Sequence, residues 1–87
     1  MKEEEKFHAR HFLGKTVVSK AGKRFGEVSN LLFEPKTGEI IQFSLKNPTG
    51  FTEGLELERD SQGSYLIPFS AVIAIGDFVV IAEEDII

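Results

Sequence analysis

The stretch from Gly22 to Leu45, GKRFGEVSNLLFEPKTGEIIQFSL, does most to limit what this chain can fold into, because it reads as two β-strands joined by one tight turn. Val28, Leu31, Leu32 and Phe33 make the first apolar run. In the second, Ile41, Phe43 and Leu45 alternate with Gln42 and Ser44, the period of a half-buried strand. Between the runs, Pro35 presets φ for the second position of a turn and Gly38 can adopt positive φ without a Cβ clash. The two runs are therefore expected to pair as a hairpin. Gly26, at the start of the first strand, marks a bend or a close approach of backbone.

The rest of the chain repeats this grammar at short intervals. Residues 1 to 12 form a polar leader that carries Phe7 and Phe12. A short strand is expected around Val17 and Val18, followed by a turn at Lys20-Ala21-Gly22-Lys23. Asn47-Pro48-Thr49-Gly50 and Gly54 signal a loop in which Phe51 stands alone. Leu55 and Leu57, the turn residues Asp60-Ser61-Gln62-Gly63, and Tyr65-Leu66-Ile67 read as a second hairpin. Pro68 to Val72 fits one helical turn, and Val72 to Ile75 with Phe78 to Ala82 gives a last hairpin bent at Gly76-Asp77. About six short strands in so few residues cannot build two large sheets. The expected fold is all-β, a small closed or partly closed barrel with one short helical turn, over residues 13 to 82, followed by an acidic and then apolar tail, residues 83 to 87.

Several of these pieces also occur together in a known family. Gly14-Lys15-Thr16-Val17-Val18, Gly22-Lys23-Arg24-Phe25-Gly26-Glu27-Val28, Pro35-Lys36-Thr37-Gly38-Glu39-Ile40, Ile67-Pro68-Phe69-Ser70 and Ala74-Ile75-Gly76-Asp77 resemble, in order and spacing, the PRC-barrel family. Asn30 is a departure, since the family often has Asp there. The resemblance implies a small barrel. It implies no single role, because PRC-barrels occur in photosynthetic reaction-centre subunits, in a ribosome-maturation factor and as stand-alone archaeal proteins, some linked to cell division.

Length and charge narrow the classes further. At 87 residues the chain is one domain, close to the size at which a single core only just outweighs chain entropy. No apolar run approaches the roughly 20 residues that span a bilayer, and the start Met1-Lys2-Glu3-Glu4-Glu5 lacks the features of a secretory signal, so a cytoplasmic location is expected. There is no cysteine for a disulfide, thiolate catalysis or Cys-ligated zinc. The net charge of −4 combines +4 over residues 1 to 26 with −8 over residues 27 to 87. Basic side chains at Lys20, Lys23 and Arg24 are the candidates for an anion or RNA contact, against which stands the acidity of the whole chain.

No catalytic constellation emerges, and no cofactor or metal is expected. His8 and His11 are three apart with Glu3 to Glu5 nearby, but no third fixed ligand accompanies them. Lys36-Thr37-Gly38 shares letters with a β-lactamase motif whose Ser-x-x-Lys partner is missing. Glu56, Glu58 and Asp60 alternate without a histidine or apolar pocket to separate their titrations. The reading that remains is a protein-interaction module, an adaptor or scaffold of homodimeric form whose partner is another cytoplasmic protein, with the division machinery implied by the resemblance. The alternative is a ribosome-maturation or RNA-processing protein. Unplaced large apolar residues, namely Phe51, Ile86, Ile87, Phe7 and Phe12, are the expected contacts with a protein partner.

Overall fold

The structure, a computed structural model, describes residues 11–86. The central hairpin forms as its alternation requires: β2 (Arg24–Phe33) runs antiparallel to β3 (Ile40–Lys46), with Val28 opposite Leu45 and Leu31 opposite Phe43. Its turn closes through Gly38 N–H donating to the Glu34 carbonyl and Glu34 N–H to the Glu39 carbonyl, both at 2.8 Å. Gly38 has φ of 77°, the left-handed value that glycine adopts without a Cβ clash.

Four further strands extend this hairpin into one sheet. β1 (Thr16–Ser19) lies antiparallel to β2, and β4 (Leu66–Pro68) lies antiparallel to β3. β5 (Val72–Ile75) and β6 (Phe78–Ile81) form the last hairpin. β6 joins the rest by parallel pairing with β1, so the strand order is β4-β3-β2-β1-β6-β5. The sheet coils into a barrel that is not fully closed: β4 and β5 remain its two ends. A 3₁₀ turn, Phe69–Ala71, carries the chain across from β4 to β5, where the sequence places its helical turn.

Apolar side chains from all sides of the sheet fill the interior. Val17, Phe25, Val28, Phe43, Ile67, Val79 and Ile81 are fully buried or nearly so, and Phe12 joins them. The Phe12 ring meets Phe43 edge-on with centroids 5.1 Å apart and Phe69 at 5.9 Å, an arrangement that sets ring edges against the electron-rich faces. Phe12 is thus a core residue, despite its place at the end of a polar leader. Ile86 likewise packs against the core.

Two segments differ from the sequence-based expectation. Leu55 and Leu57 do not form a strand paired with β4; their side chains turn half-buried onto the core, and the expected hairpin forms at its turn end, through the Asp60 N–H bond to the Ser64 carbonyl, the Arg59–Tyr65 bridge and the Leu66 N–H bond to the Glu58 carbonyl. β4 pairs with β3 along its other edge, with Phe43 opposite Ile67, both buried. The expected loop at Phe51 holds a short helix, Gly50–Glu53, started by Thr49, whose Oγ1 accepts from Thr52 N–H. That helix is tied to β2 by Thr52 Oγ1 donating to the Phe25 carbonyl at 2.7 Å and Thr49 Oγ1 to the Arg24 carbonyl at 2.6 Å.

This tie depends on a bulge. Val17 faces Gly26 and Val18 faces Arg24, so Phe25 is the extra residue, and the kink turns its side chain wholly inward. Gly26 has φ of 149°, and a Cβ there would lie 2.9 Å from the Lys46 carbonyl oxygen and 3.3 Å from Pro48 Cα. Gly26→Ala is therefore expected to destabilise by about 2 kcal/mol or more, from backbone strain together with the clash. Gly50, with open space around its Cα, is expected to accept alanine at no loss or with a gain of up to about 1 kcal/mol. Chemical denaturation of the two variants checks the order; equal losses would contradict it.

Candidate interaction surface

The barrel's open seam collects apolar side chains that the interior does not take. Two bulges put them there. On β3, Leu32 faces Gln42 and Phe33 faces Ile40, which leaves Ile41 as an extra residue; on β5, Val72 faces Ile81 and Ala74 faces Val80, which leaves Ile73 extra. A bulge re-aims the side chain it carries, and here both isoleucines end half exposed, 45% for Ile41 and 54% for Ile73. Ile75 and Phe78, in the same C-terminal hairpin, are exposed to a similar degree.

Between β5 and the β2–β3 hairpin lies a groove of about 550 Å³, with Phe12 and Phe69 among its lining, Phe33, Ile40 and Ile41 from the hairpin, and Ile75 from β5. Glu39 is the charged side chain in this lining. A second groove of about 390 Å³ is lined by His11, Phe69 and Val72 to Ile75; it shares Phe69 and Ile75 with the first. The hairpin tip that presents Glu39 is held by Lys36 N–H donating to Glu34 Oε1 at 2.8 Å and Glu39 N–H to Thr37 Oγ1 at 3.2 Å.

The residues expected from the sequence fare differently. Phe51 is only partly available: its ring meets Phe25 edge-on at 5.5 Å, and Lys23 Nζ lies 5.5 Å from its centroid. Phe12 and Ile86 serve the core, as described above. Phe7, Ile87 and His8 lie outside the described residues. The sequence reading overlooked Ile41, Ile73, Ile75 and Phe78, which alternation assigns to paired strands; a bulge leaves no mark in a period-2 pattern.

The basic candidates are spread over different tasks. Lys20 Nζ is 2.6 Å from Glu84 Oε2, Lys23 lies over Phe51, and Arg24 is exposed on β2. Lys15 Nζ donates to the Gly76 carbonyl at 2.6 Å and so buttresses the β5–β6 turn. Among the described residues no three of His, Asp and Glu stand together as a metal site. No helix among them is long and apolar enough to cross a membrane.

The Lys20–Glu84 pair is fully solvated, and each partner shifts the other. The hydrogen bond to Glu84, with its charge, raises the Lys20 pKa; the hydrogen bond from Lys20 lowers that of Glu84. The Glu84 contribution to stability is thus present above the ordinary carboxylate value and lost as pH falls through its lowered folded value. The Lys20 contribution is present below the ordinary lysine value and lost as pH rises through its raised folded value.

The class this architecture defines is a small, incompletely closed β-barrel module with an apolar seam. Residues 4–85 match the PRC-barrel domain, and the chain belongs to that family. It is also similar to an uncharacterized protein of Methanocaldococcus jannaschii, 27% identical over 82 residues that cover 94% of this chain and 88% of the relative.

Two outcomes follow from this geometry. Phe51→Ala is expected to cost about 1 kcal/mol, since it removes an aromatic pair over the core rather than an idle surface ring; denaturation that leaves stability unchanged would return Phe51 to the free surface. Lys20→Gln is expected to lower the melting temperature slightly at neutral pH and to leave it unchanged in acid below the lowered Glu84 value. A scan of melting temperature against pH, run with high salt as a control, checks the second.

Proposed function

We propose that this PRC-barrel protein is a non-enzymatic interaction module, a cytoplasmic adaptor that works as a homodimer and binds another protein through the seam. The observation that carries this reading is the exposed apolar set Ile41, Ile73 and Ile75 along the two adjoining grooves, with Phe78 exposed on the same C-terminal hairpin. Large apolar side chains grouped around a concavity are the usual mark of a binding surface, and a second protein desolvates them at no loss of internal packing. A role in archaeal cell division is the specific assignment we favour, on the resemblance of the chain to stand-alone family members linked to that process.

The small size of the core supports self-association as well, because a shared interface supplies buried area that one short chain lacks. Sedimentation across the micromolar range is expected to show a dimer, with a melting temperature that rises with concentration. For the protein partner, the native chain and an Ile73→Asp, Phe78→Asp variant are compared as baits in cell extract, with bound proteins identified and quantified. The variant is expected to keep its melting temperature, because both positions are exposed, and to lose a specific captured protein by about tenfold or more. Equal capture by both baits would contradict the proposal. Retention of RNA that is lost in Lys23→Glu with Arg24→Glu and falls steeply with salt would place the protein with ribosome maturation instead.

A further inference from the structure

The seam has a backbone as well as a surface. Among the described residues β5 pairs with β6 on one side and with no strand on the other; Val72 N–H donates to the Phe69 carbonyl, and the outward backbone groups beyond it have no ladder partner there. That edge lies along a groove: four successive residues, Val72, Ile73, Ala74 and Ile75, line it together, the bulge at Ile73 interrupting the strand's alternation. Across the adjoining larger groove stand Ile40 and Ile41 of β3, which β4 does not reach, since its pairing with β3 covers only Gln42 to Ser44.

The two ends of the sheet are protected unequally. At β4, Pro68 removes a donor, and the segment through Glu58 and Arg59 lies over the strand by the Leu66 N–H bond and the Arg59–Tyr65 bridge. From Phe69 to Gly76 there is no charge and no proline. The bulge at Ile73 is the one device that blunts this edge, and it also turns an isoleucine outward. An apolar edge left without the usual charged or proline guards is a template for another strand.

We propose that the seam binds an extended segment of a protein partner, added as a strand on the free edge of β5, with a large apolar side chain in the groove beside Phe12 and a Lys or Arg against Glu39. Strand addition supplies the main-chain hydrogen bonds, and the groove selects every second side chain. The groove selects apolar bulk because its lining is aromatic and aliphatic. The basic residue follows from charge: Glu39 is the charged member of the lining and makes no ion pair with any described residue. This inference rests on the interaction-module reading and adds to it the conformation and chemistry of the partner.

The test uses the full-length chain, immobilised, and a displayed library of random 12-residue peptides. The enriched sequences are expected to alternate Val, Ile, Phe or Tyr with polar residues and to carry Lys or Arg. A synthetic peptide of the enriched sequence is then titrated by fluorescence anisotropy, with amide chemical shifts recorded. Ile75→Lys, at an exposed position, is expected to keep the melting temperature and weaken binding about tenfold or more, and Glu39→Lys to replace the preference for Lys or Arg by one for Asp or Glu. The amide shifts are expected at residues 40–41 and 71–75.

Several results would overturn the proposal. These are no enriched peptide, enrichment with helical spacing, binding indifferent to Ile75→Lys, or shifts confined to other strands. A rise of about tenfold in peptide affinity for the full-length Phe7→Ala variant would assign the seam to the chain's own first residues. Loss of the dimer in Ile75→Lys would assign it to a second copy. If a native protein is still captured through Ile73 and Phe78 while no peptide binds, strand addition fails and the interaction role stands.

Discussion

The parallel pairing of β1 with β6 is the contact on which the rest of the barrel depends. It is the single link in the strand order between the β4-β3-β2 half and the β6-β5 hairpin. Val17 and Val79 face each other across it and are both fully buried, and Lys20 N–H extends it by donating to the Ile81 carbonyl at 3.0 Å. Four residues of β1 thus hold together chain segments about sixty positions apart, at a cost in loop closure that local hairpins do not carry. Without this pairing the C-terminal hairpin would lose its place, and no seam would exist beside the β2–β3 turn.

Bulges convert this arrangement into a surface. The bulge at Phe25 turns a phenylalanine inward and brings β2 against the backbone of Lys46 to Pro48, where Gly26 fits and a side chain does not. The bulges at Ile41 and Ile73 act in the opposite sense, each turning an isoleucine toward the seam. The same irregularity therefore serves the core in one place and the exterior in two. What decides its direction is which face of the strand already has neighbours.

Charge follows a similar division. Lys15, Lys20 and Lys23 are not gathered into one site: Lys15 supports the β5–β6 turn, Lys20 reaches Glu84, and Lys23 covers Phe51. The opposite signs of the two ends of the chain are used, at least in the Lys20–Glu84 pair, to join them across the sheet. At the seam the pattern is different, because Glu39 stands in an apolar lining without a described cation.

Elements whose cause is local are legible in the amino-acid order. The β2–β3 hairpin, its Gly38 turn, the close approach at Gly26, the 3₁₀ turn after Pro68 and the C-terminal hairpin all follow from alternation, proline and glycine within a few residues. Which strands meet at a distance depends on packing that no local pattern encodes. Leu55 and Leu57 alternate like a strand, yet the core takes their side chains and only the Glu58 end of the segment meets β4; Phe12 looks stranded on a polar leader until Phe43 and Phe69 are brought around it. The exposed isoleucines were hidden for the same reason, since a period-2 pattern states that one face is apolar but not where a bulge will shift the register or whether the barrel will close over it.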